Sequence, residues 1–180
     1  MKKTLVTLSL GLAALFTVNY QQESPKPISI TAPTEQGIKE EFKNEQRANA
    51  IRRAVASARM VYRANICGEN YSDVTGRTAY EYGLSPRLLA AVVIVESSCR
   101  ETAVSGRSSV GLMQVNPKVW GHSSRELKDP ARNLKIGAAI LASYIRQFGV
   151  VEGLHHYNGY SEIHGHEYVN KVLTVAGIGG

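Results

Sequence analysis

Cysteine and aspartate are scarce in this chain: among 180 residues there are two cysteines, Cys67 and Cys99, and two aspartates, Asp73 and Asp129. No cysteine precedes Cys67, which argues against a lipid-anchored lipoprotein. Missing too are internal repeats and any run of alternating strands with turn signals, which argues against a solenoid and against a large sheet. Long apolar runs are also few. The one near the N-terminus, residues 4–18, is short for a helix that must cross a bilayer. The length allows one sound hydrophobic core and leaves little room for a second.

What is present at the N-terminus is an address. Lys2 and Lys3 precede the apolar stretch, the layout of an export signal over residues 1–20. No clear small-x-small cleavage site follows near Asn19 and Tyr20, so the segment either is removed or stays as a weak membrane attachment through residues 4–18. Residues 21–36 hold Pro25, Pro27 and Pro33 among Gln, Ser and Thr and read as an extended tether. Residues 37–65 then read as a basic amphipathic helix. Ile38, Phe42, Ile51, Val55, Ala58, Tyr62 and Ile66 recur at mostly three- or four-residue steps, an apolar stripe expected to pack on the domain. The formal charge of +6 suits nucleic acid, an acidic cell-wall polymer or plain solubility alike, and decides nothing.

Two further helix starts share one grammar, a capping residue followed by proline: Ser85-Pro86 and Asp129-Pro130. The helix from Pro130 is expected to end at Gly149, with Leu134, Ala138, Leu141, Ile145 and Phe148 on its core face. The stretch from Gly111 to Pro117 is expected to be a loop. The fold class is therefore mainly α.

The helix from Pro86 is the most informative. Leu88 to Val95 is an unbroken apolar run, as a buried helix requires, and the next residue is Glu96. Helical steps back from Glu96 reach Val93 and Leu89, so the carboxyl shares a face with hydrophobic side chains. It also lies near the negative pole of its helix. Desolvation and that pole both raise a carboxyl pKa, and a raised value suits a general acid. The same residues equally describe a structural Glu that turns to solvent or pairs with an arginine.

Read together, the flanking motifs resemble the lytic transglycosylases of the soluble, lysozyme-like type, particularly the small exported ones attached to secretion, conjugation and phage-entry machines. Leu84-Ser85-Pro86-Arg87-Leu88-Leu89 leading to Glu96-Ser97 is similar to the family's catalytic helix. Gly111-Leu112-Met113-Gln114-Val115 with Pro117 matches its Gly-Leu-Met-Gln loop, and Asn133 with Gly137 its Asn-x-x-x-Gly helix. Tyr157-Asn158 resembles its Ala-Tyr-Asn element, and Tyr168-Val169 the tyrosine of its last helix. The matches run in family order across residues 66–175.

The resemblance implies a lysozyme-like catalytic domain over residues 66–177, acting on peptidoglycan glycan strands without metal or other cofactor and without nucleic acid. Glu96 would protonate the oxygen linking N-acetylmuramic acid to N-acetylglucosamine, then act as base on the muramoyl C6 hydroxyl as that hydroxyl attacks C1 and closes a 1,6-anhydro ring. An ordinary glycosidase needs two carboxylates. No obvious partner for Glu96 stands out in this sequence, since Asp129 is committed to helix capping and Glu101 follows five residues on in a turn. By the same matching, Ser97, Met113, Gln114, Tyr157, Asn158 and Tyr168 are the expected substrate-binding residues.

The chain also departs from the family pattern. His156-Tyr157-Asn158-Gly159-Tyr160 replaces the usual Ala-Tyr-Asn-Ala-Gly, within a His-rich stretch (His155, His156, His164, His166) whose spacing fits no standard zinc site and reads as a solvated loop. Relatives often carry a cysteine after the Asp-Pro pair, where this chain has Ala131. Cys99 is then the remaining partner for Cys67 in an exported protein, the alternative being two free buried thiols. Two other functions fit the same residues: a lysozyme-type muramidase that hydrolyses the bond, and a non-catalytic glycan-binding component of a secretion apparatus or virion.

Overall fold

A computed structural model of the chain describes residues 34–65, 67–159 and 165–178. The export segment, nearly all of the tether, Ile66 and the centre of the His-rich stretch, with His164, lie outside them. Residues 35–180 form one compact unit. Among the described residues six helices follow in order: α1 (Glu35–Arg63), α2 (Ser72–Tyr82), α3 (Pro86–Ser97), α4 (Pro117–Trp120), α5 (Pro130–Tyr157) and α6 (Gly165–Ala176), with a 3-10 turn at Glu126–Lys128. Among the described residues there is no strand, only isolated β-bridges joining Val104 to Val110 and Val110 to Val115.

The expected caps form. The Ser85 side chain accepts from Leu88 N–H and the Asp129 carboxylate from Arg132 N–H, with Pro86 and Pro130 at the first helical positions. α3 runs through the centre of the unit. Residues 88–93 are all buried, and α1, α2 and α6 pack around them. Hydrophobic burial on every side explains why β-branched Val92 and Val93 sit in a helix despite their strand preference.

Three sequence expectations are corrected. α1 begins at Glu35, inside the span assigned to the tether, and only its second half packs: Ala54, Ala58, Val61 and Tyr62 are buried, whereas Ile38 and Phe42 are 53% and 61% exposed. The helical period ran the full length, but the domain lies under only part of it. The helix from Pro130 breaks at Gly149, as expected. Gly149 takes φ 81° and ψ 175°, which kinks the helix, and the chain then resumes helical geometry to Tyr157. Second, Phe148, the last residue before that break, lies off the core. It is 40% exposed, and its ring stacks on His156 at 4.1 Å. Third, His155 is buried and touches the His166 ring at 4.9 Å, so this part of the His-rich stretch is packed helix rather than solvated loop.

A Cys67–Cys99 disulfide, Cα–Cα 5.6 Å, ties the chain beyond α1 to the turn that follows α3. That turn holds two non-glycine residues in the left-handed region, Ser98 (φ 50°) and Cys99 (φ 61°). The bridge closes a span of 32 residues. Replacing both cysteines by alanine is expected to lower stability by about 3 to 4 kcal/mol in the chain-entropy model, read as a reduced midpoint in urea.

Candidate active site

Glu96 is the penultimate residue of α3, where the buried part of the helix meets solvent. Its carboxyl is pushed up from an ordinary 4.5 to about 7. Burial is the cause. The opposing influence is one hydrogen bond, in which Tyr168 of α6 donates its hydroxyl to Glu96 Oε1 at 2.7 Å and favours the charged form. The Tyr168 and Tyr157 hydroxyls are in turn held well above their ordinary value, by burial first and by the Glu96 charge second. Both therefore stay protonated and act as donors.

Tyr157 closes α5 and donates to the Met113 carbonyl at 2.8 Å. This anchors the 111–114 loop to the site from one side. Asn133 anchors it from below. Its side chain is fully buried, accepts from Met113 N–H at 2.7 Å, and donates to the carbonyls of Val110 at 2.8 Å and Leu127 at 2.9 Å. All its hydrogen-bonding directions but one lone pair are used on backbone, so the loop has one seat. Gly111 (φ 81°) leaves no space for a Cβ, which would run into the Asn133 amide and the Leu127 carbonyl. A Cβ at Gly137 would likewise strike Met113.

A cavity of about 390 Å³ opens beside the carboxyl, lined by Val95, Glu96, Asn158, Glu167, Tyr168 and Lys171. Of the residues matched from sequence, Glu96, Asn158 and Tyr168 meet there. The others do not. Ser97 is buried, with its hydroxyl donated to the Val93 carbonyl at 3.0 Å, so it faces the core and not a sugar. Met113 is fully buried against Gly137. Gln114, in the left-handed region at φ 49°, places its amide on the carbonyls of Gly111 at 2.9 Å and Ala103 at 3.3 Å. The Tyr157 hydroxyl serves Met113 rather than the Glu96 carboxyl. These residues shape the wall behind the site.

Glu167 and Lys171 were missed by the sequence reading. They flank Tyr168 within one turn of α6, and helical spacing around that tyrosine was the available signal. Among the described residues no group of three or more His, Cys, Asp or Glu could hold a metal ion.

A buried helix presents a desolvated carboxyl at an open cavity, within an all-helical domain of lysozyme-like type. The transglycosylase SLT domain family matches residues 73–170, and the chain belongs to that family. It is 38% identical over 96 residues to the endo-type membrane-bound lytic murein transglycosylase A of Cronobacter sakazakii, covering 47% of this chain and 46% of that protein. Over 92 residues it is 30% identical to the membrane-bound lytic murein transglycosylase E of Buchnera aphidicola, covering 44% and 42%. The chain thus spans less than half the length of these relatives. Its fold matches that of an inactive mutant of the lytic transglycosylase Slt from Pseudomonas aeruginosa, with TM-score 0.53 and 22% identity over 59% of this chain and 23% of that one.

Proposed function

We propose that the chain is a peptidoglycan lytic transglycosylase that cleaves the β-1,4 bond between N-acetylmuramic acid and N-acetylglucosamine and leaves a 1,6-anhydro-muramoyl end. The observation that carries this reading is Glu96: a carboxyl raised to about 7 by burial, steadied by Tyr168, at a cavity mouth. Protonated, it donates to the leaving glycosidic oxygen. The carboxylate left behind is stabilised by the Tyr168 hydroxyl and can accept the C6 hydroxyl proton as that oxygen closes on C1. Membership of the family and the names of the relatives support the substrate class.

One observation favours a second reading. Glu167 lines the same cavity, so a second carboxylate is at hand for a muramidase that activates water. Digestion of purified peptidoglycan with mass analysis of the soluble products tests the proposal. Anhydro-muropeptides are expected, reducing muramic ends would show hydrolysis, and no soluble product would show a glycan-binding component.

Because the acid must start protonated, activity is expected to fall as pH rises through about 7. A rate-versus-pH series on solubilised glycan strands checks this, and a rate that keeps rising beyond pH 8 would remove Glu96 from the acid role.

In the same proposal residues 1–20 export the chain to the cell envelope, residues 21–34 tether it and residues 35–177 carry the activity. Service to a secretion, conjugation or phage-entry assembly rests on the resemblance to small exported members. Protein expressed from residue 35 is expected to keep full activity on purified peptidoglycan. Soluble but inactive protein would make the N-terminus part of the working enzyme.

A further inference from the structure

The cavity beside Glu96 carries a cation that the chemistry above does not use. Lys171 lies one turn beyond Glu167 and three residues beyond Tyr168 on α6, and all three line the cavity with Asn158. Lys171 is exposed, and among the described residues no ion pair forms between it and Glu167 or any other acid. The rim therefore holds an unspent positive charge in the same cavity as the acid, placed to meet a bound sugar's substituents.

We infer that Lys171 recognises a carboxylate on the muramoyl residue, with the Asn158 amide beside it, and so selects anionic glycan over neutral glycan. This rests on the proposed substrate class. The carboxylate has two possible sources, the free lactyl group of a peptide-free muramic acid or a carboxylate of the attached stem peptide. A compact ammonium on a flexible stem suits a charge whose exact placement varies along the polymer. Glu167, of opposite sign one turn away, repels the same carboxylate, so the two side chains confine it to the Lys171 side of the rim. Lys171 acts in binding and is a specificity residue for the reaction.

The test measures binding in Glu96→Gln protein, which cannot turn over substrate, with and without Lys171→Gln. Three probes are used: peptide-free glycan strands, strands bearing stem peptides, and neutral N-acetylglucosamine oligomers. Lys171→Gln is expected to weaken binding of a carboxylate-bearing strand about three- to fivefold at low salt, the size of a solvent-exposed ion pair. The loss should vanish at high salt, be restored by Lys171→Arg, and be absent with the neutral oligomer. Loss confined to peptide-free strands assigns the lactyl carboxylate, and loss confined to peptide-bearing strands assigns the stem. Equal loss on the neutral oligomer, or no loss on either strand, overturns the inference. A Glu96→Gln parent that binds none of the three probes removes the substrate class itself, a different outcome from binding that Lys171→Gln leaves unchanged.

Discussion

Glu96→Gln protein is expected to fold normally and to release soluble product from peptidoglycan at least about a thousandfold more slowly than the parent, since the amide keeps the shape but cannot transfer a proton. The amide oxygen of the variant can still accept the Tyr168 hydroxyl, so the hydrogen bond at the site survives. Stability relative to the parent should change with pH in a defined sense. The folded wild-type protein holds the Glu96 proton up to about 7, whereas an unfolded carboxyl releases it near 4.5. Between those values the folded state binds more protons, so wild-type stability falls as pH rises through the window. The substituted amide does not titrate. The variant should therefore gain on the parent between pH 4.5 and about 7, seen as a melting-temperature difference that grows from pH 4 to pH 8. Activity within tenfold of the parent, or a difference flat with pH, would show that Glu96 is not the desolvated acid.

The second large effect is expected far from any sugar. Asn133→Ala leaves Met113 N–H and the Leu127 carbonyl without their buried partner, while the Val110 carbonyl keeps the Val115 N–H at 3.1 Å. Stranding such groups costs about 1 to 3 kcal/mol each, so for the two groups a loss of roughly 2 to 6 kcal/mol is expected, a large share of the stability of one small domain. Chemical denaturation would read it directly. Where the variant stays folded, activity should also drop, because the loop that Asn133 seats carries the Met113 carbonyl that fixes Tyr157. A loss below 1 kcal/mol would mean that water replaces the amide and that the loop is not held as described.

Helix starts were legible because capping chemistry is local: Ser85-Pro86 and Asp129-Pro130 need no tertiary contact to be read. Glu96 was legible for a related reason, since an unbroken apolar run ending in a carboxylate implies burial wherever the helix is placed. The extent of α1 packing was not, because period shows that a stripe exists and not how far a partner extends along it. Ile38 and Phe42 keep the period and face solvent. The break at Gly149 was legible because glycine admits a positive φ; the second helical stretch beyond it was not, because it depends on what the next turn buries, here Leu154 and His155. In the site, motif matching names segments but does not fix what their side chains touch. Met113, Gln114, Ser97 and Tyr157 are committed to backbone or core partners set by long-range contacts, such as the bond between Tyr157 and Met113, which no spacing rule specifies.

Whether the bond is broken without water is the question on which the proposed function turns. Digestion of peptidoglycan by the wild-type chain in water enriched in heavy oxygen, followed by mass analysis of the new muramoyl ends, answers it directly. Closure by the C6 hydroxyl uses only substrate oxygen, so the ends are expected to carry no heavy oxygen and to be lighter than reducing ends by one water. Incorporation of one solvent oxygen at each new end would contradict intramolecular closure and establish a muramidase, with Glu167 the first residue to examine as its second carboxylate.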